Sequence, residues 1–269
     1  MTDDGGATPD EGPRTRRVQR YGWIPDLPDV RDHLYAAPQR VLDKLPGSVD
    51  LRAGCPPVYD QGQLGSCTAN AIGAAFAYAQ KKQGLADFMP SRLFVYWNER
   101  KMEGTVDEDS GAMIRDGIKS VHTQGVCSET TWPYVIERFT RKPSKAAYTE
   151  AAKHQVTAYR RIRQQLNQMQ GCLASGVPFV FGFSVYESFE SDKVASTGYV
   201  PLPRRTEALV GGHAVLAVGY RDQTQRFIVR NSWGRGWGMH GYCTMPYAYL
   251  TDASLASDFW AVDTVEKPG

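Results

Sequence analysis

The sequence predicts an α+β protein of two lobes. Helix-type patterns dominate the first half, and short β-branched or aromatic runs dominate the second. No internal repeat or low-complexity array interrupts either half, and 269 residues suffice for one large domain or two modest lobes that share an interface.

Residues 1 to about 20 are small, polar and charged, without periodicity, and read as disordered. The basic run Arg14 to Arg20 reads as a solvated stretch. The next segment, YGWIPDLPDVRDHLYAAP, is rich in Pro and Asp yet carries Tyr21, Trp23, Ile24, Leu27 and Leu34. Proline blocks a helix here, so the segment is expected to be extended, with apolar anchors that must pack on something. From Gln61 the texture changes. SCTANAIGAAFAYAQKKQG predicts a helix opened by Ser66 or Cys67 and closed by Gly84, and small residues on most sides make it buried. A second helix follows across PSRLFVYWNERKMEG, with Pro90 at its start and Gly104 beyond its end. Further helices are expected over Gly111–Thr123, Ser144–His154 and Ile162–Ser175. VPFVFGFSV, HAVLAVGY, QRFIVRNSW and GYCTMPY then read as strands.

Composition narrows the function. A net charge of +2 does not suggest nucleic acid or a membrane surface as partner, and no apolar run approaches the roughly 20 residues of a membrane span. The first residues lack the apolar core of a Sec signal, so cytoplasm or a non-Sec export route is the expected location. Cys55, Cys67, Cys127, Cys172 and Cys243 have no metal-like spacing to histidine, so neither a metal nor a cofactor is expected. Four of the five can pair in three ways or stay as buried thiols, and spacing does not choose.

Three segments carry chemistry. In DQGQLGSCTANA, Cys67 stands at a helix start, where free N–H groups and the helix dipole favour a thiolate. Gly62 and Gly65 let a substrate backbone approach the sulfur. Gln61 is placed to aim its amide at an oxyanion. In LVGGHAVLAVGY, His213 opens an apolar strand behind two glycines. In IVRNSWGRGWG, Asn231 can fix the tautomer of a histidine, with Trp233 and Trp237 covering the bond. A buried cysteine at a helix start, or a histidine ahead of a strand, is often merely structural. The order Cys, His, Asn, with His213 146 residues after Cys67 and Asn231 18 further on, is far more specific.

Together these segments resemble the papain/cathepsin family of cysteine peptidases, from about Leu45 to Trp260. LPGSVDLR resembles the start of a mature enzyme, SGAMIRDGI a substrate-binding turn and ETTWPY a later family element. The resemblance implies a papain-like fold: a helical lobe mainly over 61–160, a β-barrel-like lobe mainly over 176–250, and a cleft between them. It assigns Cys67 as nucleophile, His213 as base, Asn231 as orienting residue and Gln61 to the oxyanion hole, with Cys67 and His213 an ion pair at rest. Gly65, Ser66, Ser110, Gly111, Gly212 and Trp233 become substrate-binding candidates, and Ser257 a candidate for a specificity-pocket floor. The expected activity is that of a peptidase, a monomer acting on peptide or protein. Residues 45–269 form the peptidase and 1–44 an N-terminal extension.

The chain departs from the family at several points. Leu64 replaces the usual cysteine three residues before the nucleophile, which removes a family disulfide. Thr68 replaces the usual aromatic after the nucleophile, and Gly212 the polar residue before the histidine. The bulky pro-domain is replaced by a short leader, as in microbial branches. Residues 15–44 then lie across the cleft as a short inhibitory segment, or strap onto the body away from it. A binding module would not need all four site residues, and a metal hydrolase lacks its ligands. An acyl transferase using the same acyl-enzyme stays open. His33, His122, His154 and His240 are scattered and read as structural or surface residues.

Overall fold

A computed structural model describes residues 21–265. The expectation of disorder at residues 1 to 20 lies outside the described residues. In chain order the elements are β1 (Trp23–Ile24), β2 (Leu34–Tyr35), α1 (Gln39–Leu42), β3 (Ser48–Asp50), α2 (Cys67–Lys82), α3 (Arg92–Glu103), β4 (Ala112–Met113) and α4 (Ile114–Thr123). After these come α5 (Lys145–Ala151), β5 (Val156–Ile162), α6 (Leu166–Ala174), β6 (Phe179–Tyr186), α7 (Asp192–Thr197), β7 (Leu209–Arg221), β8 (Arg226–Arg230), β9 (Tyr242–Pro246), α8 (Tyr247–Thr251) and β10 (Ala256–Val265). The α+β expectation holds, with helices concentrated before residue 180 and strands after it.

The main sheet runs β2-β5-β10-β6-β7-β8-β9, with β3 paired to β7. It is wider than the sequence patterns indicate. Val156–Ile162 is a strand, and the helix expected to begin at Ile162 starts only at Leu166. VTAYRRI alternates buried ends with exposed middle positions, and its backbone finds partners in β10 and β2. Pairing to distant strands decides that segment, and no local pattern reports it. The helix expected from Gly111 begins at Ile114, because Ala112–Met113 pairs with β1.

Two apolar cores flank the sheet. One gathers Phe179, Phe181, Phe183, Phe189, Phe227 and Phe259 with Trp233 and Trp237. The other surrounds α2, every residue of which from Cys67 to Gln80 is buried. The six alanines of α2 let β7, β10, α3 and α4 approach its backbone closely, which propensity alone does not require. Where α4 meets α2 and α3 a β-carbon on Gly117 would stand 2.4 Å from both Glu99 Oε2 and Ile72 Cδ1. Gly117→Val is therefore expected to overpack this junction and destabilise the fold by about 1–3 kcal/mol, read as a lowered denaturant midpoint at unchanged slope.

Candidate active site

Cys67 opens α2 and is completely buried. Ser66 precedes it, but its hydroxyl does not cap the helix; it pairs with the Tyr134 hydroxyl at 2.6 Å and accepts from Asn70 Nδ2 at 3.1 Å. The first-turn N–H groups thus remain open to negative charge. Burial pushes the Cys67 thiol up to about 12, while backbone N–H groups of Ala214, Gly22 and Thr68 face the sulfur and pull the other way. Shutting the sulfur off from water works against the thiolate, so the closed cleft opposes the ionisation that the helix start favours.

His213 Nε2 and Asn231 Oδ1 are 2.8 Å apart. The Ser232 N–H, which can only donate, reaches the same Oδ1 at 2.8 Å, so this atom is an oxygen and His213 Nε2 carries the proton. The second ring nitrogen, Nδ1, is then the basic one in neutral histidine. Trp233 lies 5.2 Å from the imidazole, centroid to centroid, with Phe183, Phe189 and Tyr21 completing an aromatic cage. Trp237 packs on Trp233 rather than on the histidine.

Gln61 is buried and held at both ends of its amide. Its Nε2 donates to Leu64 O at 2.9 Å, and its Oε1 accepts from the Ser232 hydroxyl at 2.6 Å. One amide hydrogen is thereby left for another acceptor. The Tyr134 hydroxyl donates to Gln61 O at 2.8 Å, so ETTWPY supplies a support for both Gln61 and Ser66. Thr68, in place of the expected aromatic, donates to Glu99 Oε1 at 2.6 Å; burial raises the Glu99 carboxyl well above its ordinary range.

The segment from Tyr21 to Ala37 has two parts, one at the site and one on the body of the fold. Its first part crosses the cleft. The Gly22 N–H faces the Cys67 sulfur, and Gly22 O accepts from Ala112 N–H at 2.7 Å. A β-carbon on Gly22 would stand 1.6 Å from Gly65 O, so only a bare backbone passes here. Trp23 fills a buried pocket against Gly182 and Gly212 and beside Asp258. Tyr21 reaches Glu190 Oε1 with its hydroxyl at 2.5 Å. Its second part straps onto the body, where β2 pairs with β5 and Ala37 N–H donates to Gln168 Oε1 at 3.0 Å.

Between the two parts lies a charged latch. The Asp26 carboxylate accepts from Arg115 N–H at 3.1 Å and Trp260 Nε1 at 2.8 Å, and the Asp26 N–H donates to Asp258 Oδ2 at 2.8 Å. Asp32 meets the Arg115 guanidinium at 2.6 and 3.0 Å, and Arg161 bridges Asp32 and Asp258. Burial and the nearby Asp258 charge raise Asp26 to about 6.

The remaining candidates fall around this line. Gly111, at φ +76°, lies against Gly22, and Ser110 beside it donates to Thr105 Oγ1 at 2.8 Å. Ser257 pairs with Gly182 across β10 and β6, while the neighbouring Asp258 is the one that approaches Trp23. Asp258, Gly182 and Ser232 escape a sequence reading because they sit inside strand-like or tryptophan-rich runs. The acid in SDFW was the one available signal.

The family model for the papain family cysteine protease matches residues 45–259. The chain belongs to the papain family. Among curated relatives, a peptidase C1-like protein of Acanthamoeba polyphaga mimivirus is 43% identical over 275 residues, covering 93% of this chain and 88% of that protein. Among solved structures, xylellain, a cysteine protease from Xylella fastidiosa, is 46% identical with a TM-score of 0.87, covering 94% of this chain and 99% of that one. A digestive procathepsin L 3 of Tenebrio molitor larval midgut shares the fold at 19% identity and a TM-score of 0.69, over 87% of this chain and 73% of that one. The protein is thus a papain-like cysteine peptidase, a hydrolase with peptide or protein substrates. Among the described residues no helix is long and apolar enough to cross a membrane, and no histidine, cysteine and carboxylate cluster fits a metal ion. All five cysteines are free thiols.

A β-carbon at Gly182 would stand 2.0 Å from Trp23 Cε2. Gly182→Val is therefore expected to expel Trp23 and open the 21–32 segment to limited proteolysis while the rest of the chain stays resistant.

Proposed function

We propose that the protein is a cysteine endopeptidase working through Cys67, His213, Asn231 and Gln61, and that its own residues 21–37 hold it closed. The reading rests above all on the Gly22 N–H facing the sulfur of a cysteine at a helix start, beside the His213–Asn231 pair. Once that segment leaves, water reaches the sulfur and the helix N-terminus favours the thiolate. His213 Nδ1 takes the thiol proton, and the Nε2 proton stays on its bond to Asn231 Oδ1. The thiolate attacks the scissile carbonyl. The resulting oxyanion is held by the Cys67 N–H and the uncommitted hydrogen of Gln61 Nε2. His213 returns its proton to the leaving amine, and a water activated by the same nitrogen releases the acyl group.

Gly65, Ser66, Gly111, Gly212 and Trp233 border the path of Gly22 or the ring of His213, and in this reading they meet substrate. Ser110 supports the Gly111 turn. Ser257 lies next to the Trp23 pocket. The same acyl-enzyme passed to an acceptor other than water would give a transferase; product analysis separates the two.

Peptide hydrolysis by purified variants tests the chemistry. Cys67→Ala is expected to abolish turnover, and Gln61→Ala to lower kcat by about 10²–10³ with the fold intact. Full activity in Gln61→Ala removes that residue from the mechanism. Trp23→Ala, which empties the pocket, is expected to raise turnover; unchanged turnover counts against self-inhibition.

The latch gives the closed state a pH dependence. Asp26 is raised when docked and returns to an ordinary carboxylate near 3.9 when released, so the docked form binds more protons. Its contribution to docking is complete below about pH 4 and is lost as pH rises through about 6. Alkylation of Cys67, compared between wild type and Asp26→Asn, isolates this effect from thiol ionisation. The wild-type rate is expected to stay within about twofold of the variant at pH 4 and to exceed it about a hundredfold above pH 6. A ratio constant with pH rules out the Asp26 latch.

A further inference from the structure

A polar cluster under the cleft floor takes no part in the chemistry above. The Gly65 N–H donates to both oxygens of Asp109, at 3.0 and 3.1 Å. The Tyr96 hydroxyl donates to Asp109 Oδ1 and accepts from the Gly111 N–H at 3.2 Å. Tyr96 is fully buried in α3, its ring stacked under the Arg100 guanidinium at 4.1 Å. Arg100 in turn donates to Val106 O and Glu108 O, each at 2.8 Å, and so fixes the loop that carries Asp109. One carboxylate and one phenol therefore join the residue two before Cys67 to the turn at Gly111.

Gly65 and Gly111 are also backbone segments that Gly22 touches. A β-carbon on Gly22 would strike Gly65 O, and one on Gly111 would stand 2.3 Å from Gly22 O. The distance between Gly65 and Gly111 thus sets the width of a slot one backbone thick. With Leu64 in place of the usual cysteine and every thiol free, no covalent staple holds that width.

We propose that Asp109 and Tyr96 are positioning residues, a hydrogen-bonded clamp that sets the width of this slot and so seats a peptide backbone over Cys67. The proposal rests on the reading that peptide substrates occupy the slot that Gly22 now fills. A charge-assisted acceptor holding a backbone N–H is short and directional, and a loop freed from it shifts by enough to misplace a bound chain. The clamp acts on whatever must lie in the slot, and leaves the intrinsic reactivity of the sulfur alone.

Two reagents separate these effects on the full-length protein. E-64 is a peptide-like epoxide that must lie in the slot to reach Cys67, whereas iodoacetamide needs only the thiol. Any gating by residues 21–37 slows both, so the ratio of their inactivation rates, followed by mass spectrometry, reports the slot. In Asp109→Ala that ratio is expected to fall about tenfold, and in Tyr96→Phe about threefold, with the iodoacetamide rate changed less than about twofold. Tyr96→Phe removes a single hydroxyl and decides the matter should Asp109→Ala fail to fold. A ratio unchanged from wild type, or both rates falling together, overturns the clamp. Wild-type protein that takes iodoacetamide but never E-64 overturns the underlying reading, and the clamp with it.

Discussion

The N-terminus of α2 packs on the middle of β7, with the Ala214 N–H turned to the Cys67 sulfur, and the geometry of the cleft follows from that packing. A helix end can come so near a strand only if its flank is small, hence the alanines and Gly73 along α2. The sulfur then lies where two lobes join, with Asn231 and Ser232 arriving just after β8 and Gln61 tied back to Ser232 through both backbone and side chain. Gln61, His213 and Asn231 are each held by a side-chain bond to another residue of the site, so rotamers that would be free on a surface are fixed here.

Much of this was legible in the sequence because the site is made of short runs with unusual neighbours. Cysteine at an alanine-rich helix start, histidine behind two glycines and asparagine before tryptophans each leave a local mark. The helices α2 and α3 were legible for the same reason, since composition and a terminating glycine agree in each. What stayed hidden depends on pairing across long stretches of chain. The strand at Val156–Ile162 has no strong pattern of its own, and Asp258 gains its meaning from Asp26, 232 residues earlier. The extended segment was recognisable as needing a partner. Its two roles, crossing the cleft at Gly22 and joining the sheet at Leu34–Tyr35, could not be read from Pro and Asp content.

Burial of charge shapes the same region. Among the described residues the close cationic partners of Asp26, Asp32 and Asp258 are Arg115 and Arg161, so this cluster holds one carboxylate more than its guanidinium groups balance. Neutral indole and backbone N–H groups take up part of the excess, and the remaining repulsion, with burial, raises the Asp26 carboxyl. Glu99 beside Thr68 meets burial with a single hydroxyl donor, and its carboxyl is raised well above the ordinary range, which favours its neutral form.

The segment in the cleft belongs to the same chain as the cleft, anchored at its far end where β2 joins the sheet and α1 packs on α6. Tethering makes its docking a first-order event, with an effective concentration in the millimolar range for a short linker. Modest contacts therefore suffice to keep the slot filled at any dilution of the protein. A single backbone break between the cleft and β2 would leave the contacts of the 21–32 stretch unchanged and yet end their advantage, because the freed peptide would be diluted into the surrounding volume. Occupancy of the site is in this sense a property of chain continuity as much as of affinity.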